Sequence, residues 1–168
     1  YMAIDGKLAA VICIEDPLRE EAPEVIRRLK DLGIGKVVMM TGDSDRIART
    51  IAGTVGVDEY YSEVLPEDKA KFVEREKQEG HKVIMIGDGI NDSPALSAAD
   101  VGIAISDGAQ IAREIADVTI GADNLWEVAA LKELSNALME RIRKNYRLIV
   151  GINTGLIVAG VAGLIPPT

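Results

Sequence analysis

The chain has 168 residues, enough for one well-buried core or one core with an appendage. Its 19 Lys and Arg against 27 Asp and Glu give a net charge of −8, which speaks against general nucleic-acid binding. Charges are mixed rather than blocked, which argues against a disordered acidic tail, and a single cysteine, Cys13, leaves no internal disulfide and no thiolate metal site.

Met2 to Ile4 and Leu8 to Ile14 are β-rich runs on either side of Asp5-Gly6, a type I′ hairpin signal. Asp16-Pro17-Leu18-Arg19 breaks that pattern. Val25, Ile26, Leu29 and Leu32 then recur at helical spacing up to Gly33, a natural C-terminal cap. Lys36 to Met40 reads as a buried strand, and Thr41-Gly42-Asp43-Ser44 leads from it into a helix with Ile47, Ala48, Ile51 and Val55 on one face. Glu59 to Val64 suits a short strand. Pro66 stands where the first turn of a helix tolerates it, and that helix runs to about Gln78, with Gly80 as its stop.

Val83 to Ile86 is a third central strand, ending abruptly in Gly87-Asp88-Gly89. Asp92 to Ala98 is helical, Val101 to Ile105 a strand, Ala109 to Ile115 a helix and Asp117 to Ile120 a last strand. This alternation, with few aromatics and abundant Ile, Val, Leu and Ala, predicts an α/β fold with a doubly wound parallel sheet. Cys13 and Trp126 read as packing residues, His81 as a surface loop residue, and Asp100, Asp107 and Asp123 as turn formers.

From Asn124 the character changes. A long helical stretch carries Lys132, Arg141, Arg143, Lys144 and Arg147, then passes into Leu148 to Ile165, which holds no charge. The uncharged run predicts a transmembrane helix over 148–165, with the basic cluster on its cytoplasmic side, the alternative being a buried C-terminal core helix. Gly151 and Gly155 suit close helix packing. Asn153 is the strongly polar side chain of that run, suited either to an interhelical hydrogen bond or to an ion pathway.

Three strand ends carry chemistry. Carboxylates on a tight turn, as at Asp88 and Asp92 with the amide of Asn91, suit Mg²⁺, a hard cation that takes one or two of them and completes its shell with water and phosphate. Taken alone, the same segment also serves as a plain turn with an Asp cap. Thr41, Gly42 and Asp43 offer a hydroxyl and backbone N–H groups for phosphate oxygens, or an ordinary helix cap. Lys69 is one turn into its helix, placed for a phosphate or merely solvated. Together, a phosphate cradle, a cation and a Mg²⁺ carboxylate are what phosphoryl transfer needs.

In this order and spacing, Thr41-Gly42-Asp43, Pro66 to Lys69 and Gly87 to Pro94 closely resemble the phosphate, lysine and magnesium motifs of the haloacid dehalogenase-type phosphorylation domain of P-type ATPases. Asp16 to Arg19 resembles the hinge from the nucleotide-binding domain, and Ala95 to Ala104 the segment that follows the magnesium motif. The short stretch between hinge and expected span is similar to the heavy-metal-transporting subgroup.

The resemblance implies a division into residues 1–15 (return strands of a nucleotide-binding domain), 16–123 (phosphorylation domain), 124–147 (juxtamembrane helix) and 148–165 (membrane helix). It implies catalytic roles for Thr41, Gly42, Asp43, Lys69 and Asn91, with Thr41, Gly42 and Lys69 holding phosphate. Mg²⁺ would lie on Asp88 and Asp92, the transported ion near Asn153, ATP would be the phosphoryl donor, and a heavy-metal cation the cargo.

One departure stands out. Members of this family accept the phosphoryl group on the aspartate of an Asp-Lys-Thr-Gly-Thr motif, and no such motif occurs in these residues. The expectation is therefore a part of a pump, inactive in isolation, whose acceptor and first core strand are supplied by the remaining domains of the same polypeptide. Two other readings compete: a soluble phosphatase of haloacid dehalogenase type, and a non-enzymatic, membrane-anchored regulatory module.

Overall fold

The computed structural model describes residues 1–11, 18–88, 91–105, 114–121 and 124–163. The expectations for Cys13, Asp16, Pro17, Asp107 and Asp123, and most of the helix expected at 109–115, lie outside the described residues.

Strands β1 (Met2–Ile4) and β2 (Lys7–Ala10) form an antiparallel hairpin. Asp5 and Gly6 both take positive φ, 51° and 74°, as a type I′ turn requires. Helix α1 (Ala22–Asp31) has Pro in its first turn and buries Val25 and Leu29, four residues apart on one face. It stops where Gly33 adopts φ 94° and Ile34 N–H reaches back to the Leu29 carbonyl.

Strand β3 (Val38–Met40) leads through helix α2 (Asp45–Val55) to β4 (Glu59–Tyr61), which pairs with it in parallel. Helix α3 (Pro66–Gln78) leads to β5 (Ile84–Gly87), and the short helix α4 (Ser93–Ala98) to β6 (Val101–Ile105). Strand β7 (Val118–Ile120) completes a parallel sheet in the order β5–β6–β7.

Helices cover both faces of that sheet, as parallel sheets require. On one face, Val73 of α3, Met85 of β5 and Ala95 and Leu96 of α4 form a buried cluster. On the other, Val25 and Leu29 of α1 pack with Ile103 of β6, Ile120 of β7, and Val128 and Ala129 of the last helix. Gly102 permits the close approach of α4: a Cβ there would lie 2.7 Å from the Leu96 carbonyl oxygen.

One expectation changes. Among the described residues the parallel strands form two sheets, β3–β4 and β5–β6–β7, rather than one. The two still share a core, because Met40 of β3 packs on the cluster around Met85. What is lacking is hydrogen bonding between β3 and β5, so among the described residues each keeps one edge without a strand.

The last helix, α5 (Trp126–Val161), is continuous. Its first turns are fastened to α1, where Arg28 pairs with Glu133 at 3.0 Å and the Asn136 amide donates to the Leu32 carbonyl at 2.8 Å. Val128 and Ala129, rather than the half-exposed Trp126, are its buried anchors. Among the described residues no helix is long and apolar enough to cross a membrane, so the transmembrane helix expected at 148–165 is not found. The helix ends at Val161, which leaves its uncharged part roughly 20 Å long at 1.5 Å per residue, short of a hydrocarbon core of about 30 Å. Leu164 and Ile165 lie outside the described residues.

Candidate active site

The chemistry-bearing residues lie where β3 and β5 end, the carboxyl side on which open α/β sheets gather their ligands. Beyond β3, the Thr41 hydroxyl donates to an Asp43 carboxylate oxygen at 2.8 Å, and Asp43 N–H donates back to Thr41 Oγ1 at 3.1 Å. The loop is held from below by backbone bonds from Thr41 N–H to Tyr61, from Val64 N–H to Thr41 and from Glu63 N–H to Asp43. Ser44, not Thr41 or Asp43, is the residue that precedes α2, and no side chain caps that helix. The cap reading of Thr41 and Asp43 therefore falls away. A Cβ on Gly42 would meet only the Val64 carbonyl, at 4.0 Å, so neither packing nor an unusual φ demands glycine there. Its bareness leaves the backbone open to a ligand.

At the end of β5, Asp88 accepts from Asn91 twice, from the backbone N–H at 3.2 Å and from the side-chain amide at 3.5 Å. Asp92 follows, and it is the buried charged residue among those described, only 8% exposed. Lys69 Nζ donates to Asp92 Oδ1 at 2.7 Å, both side chains being largely covered. Burial of this kind holds only where the charge is paired. Glycine at position 87 makes room for it, since a Cβ there would lie 2.7 Å from the Asp92 Cβ. Gly87 is a requirement that the motif's spacing alone did not reveal.

Lys69 (α3) and Asp92 (start of α4) are thus brought together, as are Asp88 and Asn91, and Thr41 and Asp43. Among the described residues no hydrogen bond or ion pair joins Thr41 or Asp43 to Lys69 or Asp92. Their elements nevertheless share the cluster of Met40, Val73, Met85, Ala95 and Leu96, which fixes their relative placement. Asn153 stands apart, exposed on α5 beyond its contacts with α1. His81 is a surface residue whose Nδ1 lies 2.9 Å from Glu76.

The donor set fits a hard cation: Asp88 and Asp92 offer carboxylate oxygens at one strand end. Lys69 engages one Asp92 oxygen, and Asp88 accepts from Asn91. The ammonium of Lys30 holds Asp58 below its ordinary range, helped by the Val37 N–H, and Lys82 does the same for Asp100 with the Val83 N–H. Both are at the amino ends of strands, where sequence reading saw Asp100 as a turn former and passed over Asp58.

A family model for haloacid dehalogenase-like hydrolases matches residues 2–100. The chain belongs to that family. Nearly its whole length is also similar to heavy-metal P-type ATPases. It is 41% identical over 99% of its residues to the zinc-exporting P-type ATPase of Mycobacterium marinum, and 45% identical over its full length to copper-transporting ATPase 2 of Rhizobium meliloti. A crystal structure of a zinc-transporting PIB-type ATPase in the E2.Pi state matches 90% of the chain with a TM-score of 0.80 at 38% identity. The haloacid dehalogenase-like chain spans 23% and 20% of the two curated relatives and 24% of that crystallised chain.

Proposed function

We propose that this chain supplies the Mg²⁺-binding and phosphate-binding half of an aspartyl-phosphate site in an ATP-driven exporter of heavy-metal cations. The observation that carries this reading is the covered Lys69–Asp92 pair beside Asp88, set at strand ends of a haloacid dehalogenase-like fold. The similarity to metal-transporting ATPases over almost every residue supports it.

In this reading Asp88 is the main protein ligand for Mg²⁺, with Asp92 close behind and Asn91 orienting the phosphoryl group. Bound Mg²⁺ supplies charge neutralisation at the phosphoryl oxygens. Thr41 Oγ1 and the Gly42 N–H hold phosphoryl oxygens, Asp43 orients the Thr41 hydroxyl, and Lys69 offsets the charge that develops in transfer. ATP is the donor. The acceptor aspartate belongs on a strand that the open edges of β3 and β5 accommodate between them, parallel to both. Such a strand delivers its carboxyl end between Thr41 and Asp88 and joins the two sheets into one.

The run of exposed Leu, Ile and Val from Leu148 to Val161 supports entry of this end of α5 into the bilayer in the whole protein. Asn153, a turn and a half beyond Arg147, is then placed to contribute an amide oxygen to the ion pathway. Its test is metal-stimulated ATPase activity of full-length Asn153→Ala across Zn²⁺, Cd²⁺, Co²⁺ and Cu⁺. A changed stimulation or selectivity supports the role, and an unchanged profile for every ion makes Asn153 structural.

The site itself is tested in the full-length protein by phosphoenzyme formation from ATP. Asp88→Ala is expected to abolish it. Normal Mg²⁺-dependent phosphorylation in that variant would overturn the assignment.

A further inference from the structure

The basic turn before the apolar end of α5 is uncommitted. Arg141, Arg143 and Lys144 are exposed and make no ion pair among the described residues. Arg147 uses its Nε to reach back to the Arg143 carbonyl, at 3.4 Å. That contact directs the Arg147 guanidinium toward the amino end of the helix, away from the apolar run, as a long basic side chain does at a lipid boundary. From 141 to 161 the helix holds no acidic residue. The four charges therefore occupy one layer about 9 Å deep along the axis, comparable with the headgroup zone of one leaflet, roughly 5–8 Å.

What lies on either side of the layer identifies the occupant. Tyr146, 68% exposed, stands at the boundary, where an aromatic with a polar tip belongs. Beyond it Leu148, Ile149, Ile157, Val158 and Val161 are each more than half exposed, and at about 100° per residue they lie all around the helix rather than along one stripe. A protein groove would cover one face; hydrocarbon covers all of them.

We propose that Arg141, Arg143, Lys144 and Arg147 bind the anionic headgroups of membrane phospholipids. This rests on the reading that the end of α5 enters the bilayer, and adds the class of lipid that it selects. The proposal runs against the overall charge of −8, which by itself repels an anionic surface, so selection must come from this turn alone. Each basic side chain near such a surface strengthens binding about fivefold, so three or four acting together give on the order of 10²-fold.

The experiment is flotation of the chain with phosphatidylcholine vesicles, with and without phosphatidylglycerol. Binding is expected to be on the order of 10²-fold tighter with phosphatidylglycerol. That preference should vanish at about 1 M salt, where the Debye length is ~3 Å. In the variant Arg141→Gln/Arg143→Gln/Lys144→Gln/Arg147→Gln it should vanish too, while helix content by circular dichroism and binding to neutral vesicles stay as they were. Equal binding to both vesicles, or a preference that survives the four substitutions, overturns the headgroup proposal alone. If the unaltered chain binds neither vesicle, the membrane reading fails and the proposal with it.

Discussion

The two ends of the parallel strands use the same residue, aspartate, in opposite ways. At the amino ends three carboxylates repeat one contact. Asp58, just before β4, accepts the Val37 N–H beside β3 at 2.7 Å; Asp100, just before β6, accepts the Val83 N–H beside β5 at 3.0 Å; Asp117, just before β7, accepts the Gly102 N–H of β6 at 2.8 Å. Lys30 and Lys82 complete the first two at 2.7 and 2.8 Å. Each carboxylate ties the start of one strand to its neighbour, satisfying an amide that the ladder does not reach. At the carboxyl ends the carboxylates of Asp43, Asp88 and Asp92 find partners of another kind among the described residues. These include the Thr41 hydroxyl, the Asn91 backbone N–H and side-chain amide, and the Lys69 ammonium. One end is clamped to its neighbours, and the other bears the residues proposed to meet phosphate and a cation. Clamped carboxylates secure the fold; those at the other end suit a reaction.

Substitutions at the two ends should therefore separate rate from stability. The largest effect is expected at the carboxyl end. Lys69→Ala in the full-length protein should slow ATP turnover by about 10²–10³, the cost of removing one preorganised charge at a developing anion. The substitution also leaves the covered Asp92 carboxylate unpaired, so the thermal midpoint should fall as well; the loss of rate is what Asp117→Ala should not share. A Lys69→Ala protein with unaltered turnover would reduce Lys69 to a structural partner of Asp92.

A smaller effect of the other kind is expected from Asp117→Ala. It strands the N–H of Gly102, a buried residue, and loss of such a partner costs about 1–3 kcal/mol. Chemical denaturation would show this as a lower midpoint with the slope unchanged. If stability is unaffected, the clamp at β7 is ornamental and the comparison narrows to the first two strands.

The smallest effect concerns acid. Asp58 and Asp100 are held below their ordinary value of 3.8 in the folded state by Lys30 and Lys82. A depressed carboxyl favours the fold fully at pH above 3.8, and that contribution is lost as pH falls through the lower, folded value. The double variant Asp58→Asn/Asp100→Asn should melt lower than the parent at neutral pH. Below pH 3.8 the two melting curves should converge. A constant gap between them at every pH would mean that the charge of these carboxylates does not matter, only their hydrogen bonds.

Much of this molecule was legible locally. The hairpin at Asp5-Gly6, the stop of α1 at Gly33, the start of α3 at Pro66 and the continuous helix from Trp126 each depend on backbone preferences that a few adjacent residues dictate. Strand ends bearing Thr41, Asp88 and Asp92 were legible too, because a short apolar run ending in glycine and aspartate has few other outcomes. Strand lengths were less so: β3 begins at Val38 rather than Lys36, and β4 stops at Tyr61 rather than Val64. Both depend on where a neighbouring strand offers partners, which no single segment contains.

Local sequence by itself determined most of the elements, their parallel order, and the residues proposed to handle phosphate and a hard cation. Tertiary structure alone decided how those residues are used. Spacing places Lys69 and Asp92 far apart in the chain, and only the packing of α3 on α4 around Val73 and Leu96 brings them within 2.7 Å. Only the approach of Asp92 to the end of β5 shows why residue 87 has no side chain. The separation of β3 from β5, and the division of the aspartates into clamps and candidate site residues, follow from which neighbour each backbone N–H finds. A hydrogen bond joins two points in space, and its range is too short for one segment of sequence to specify the other.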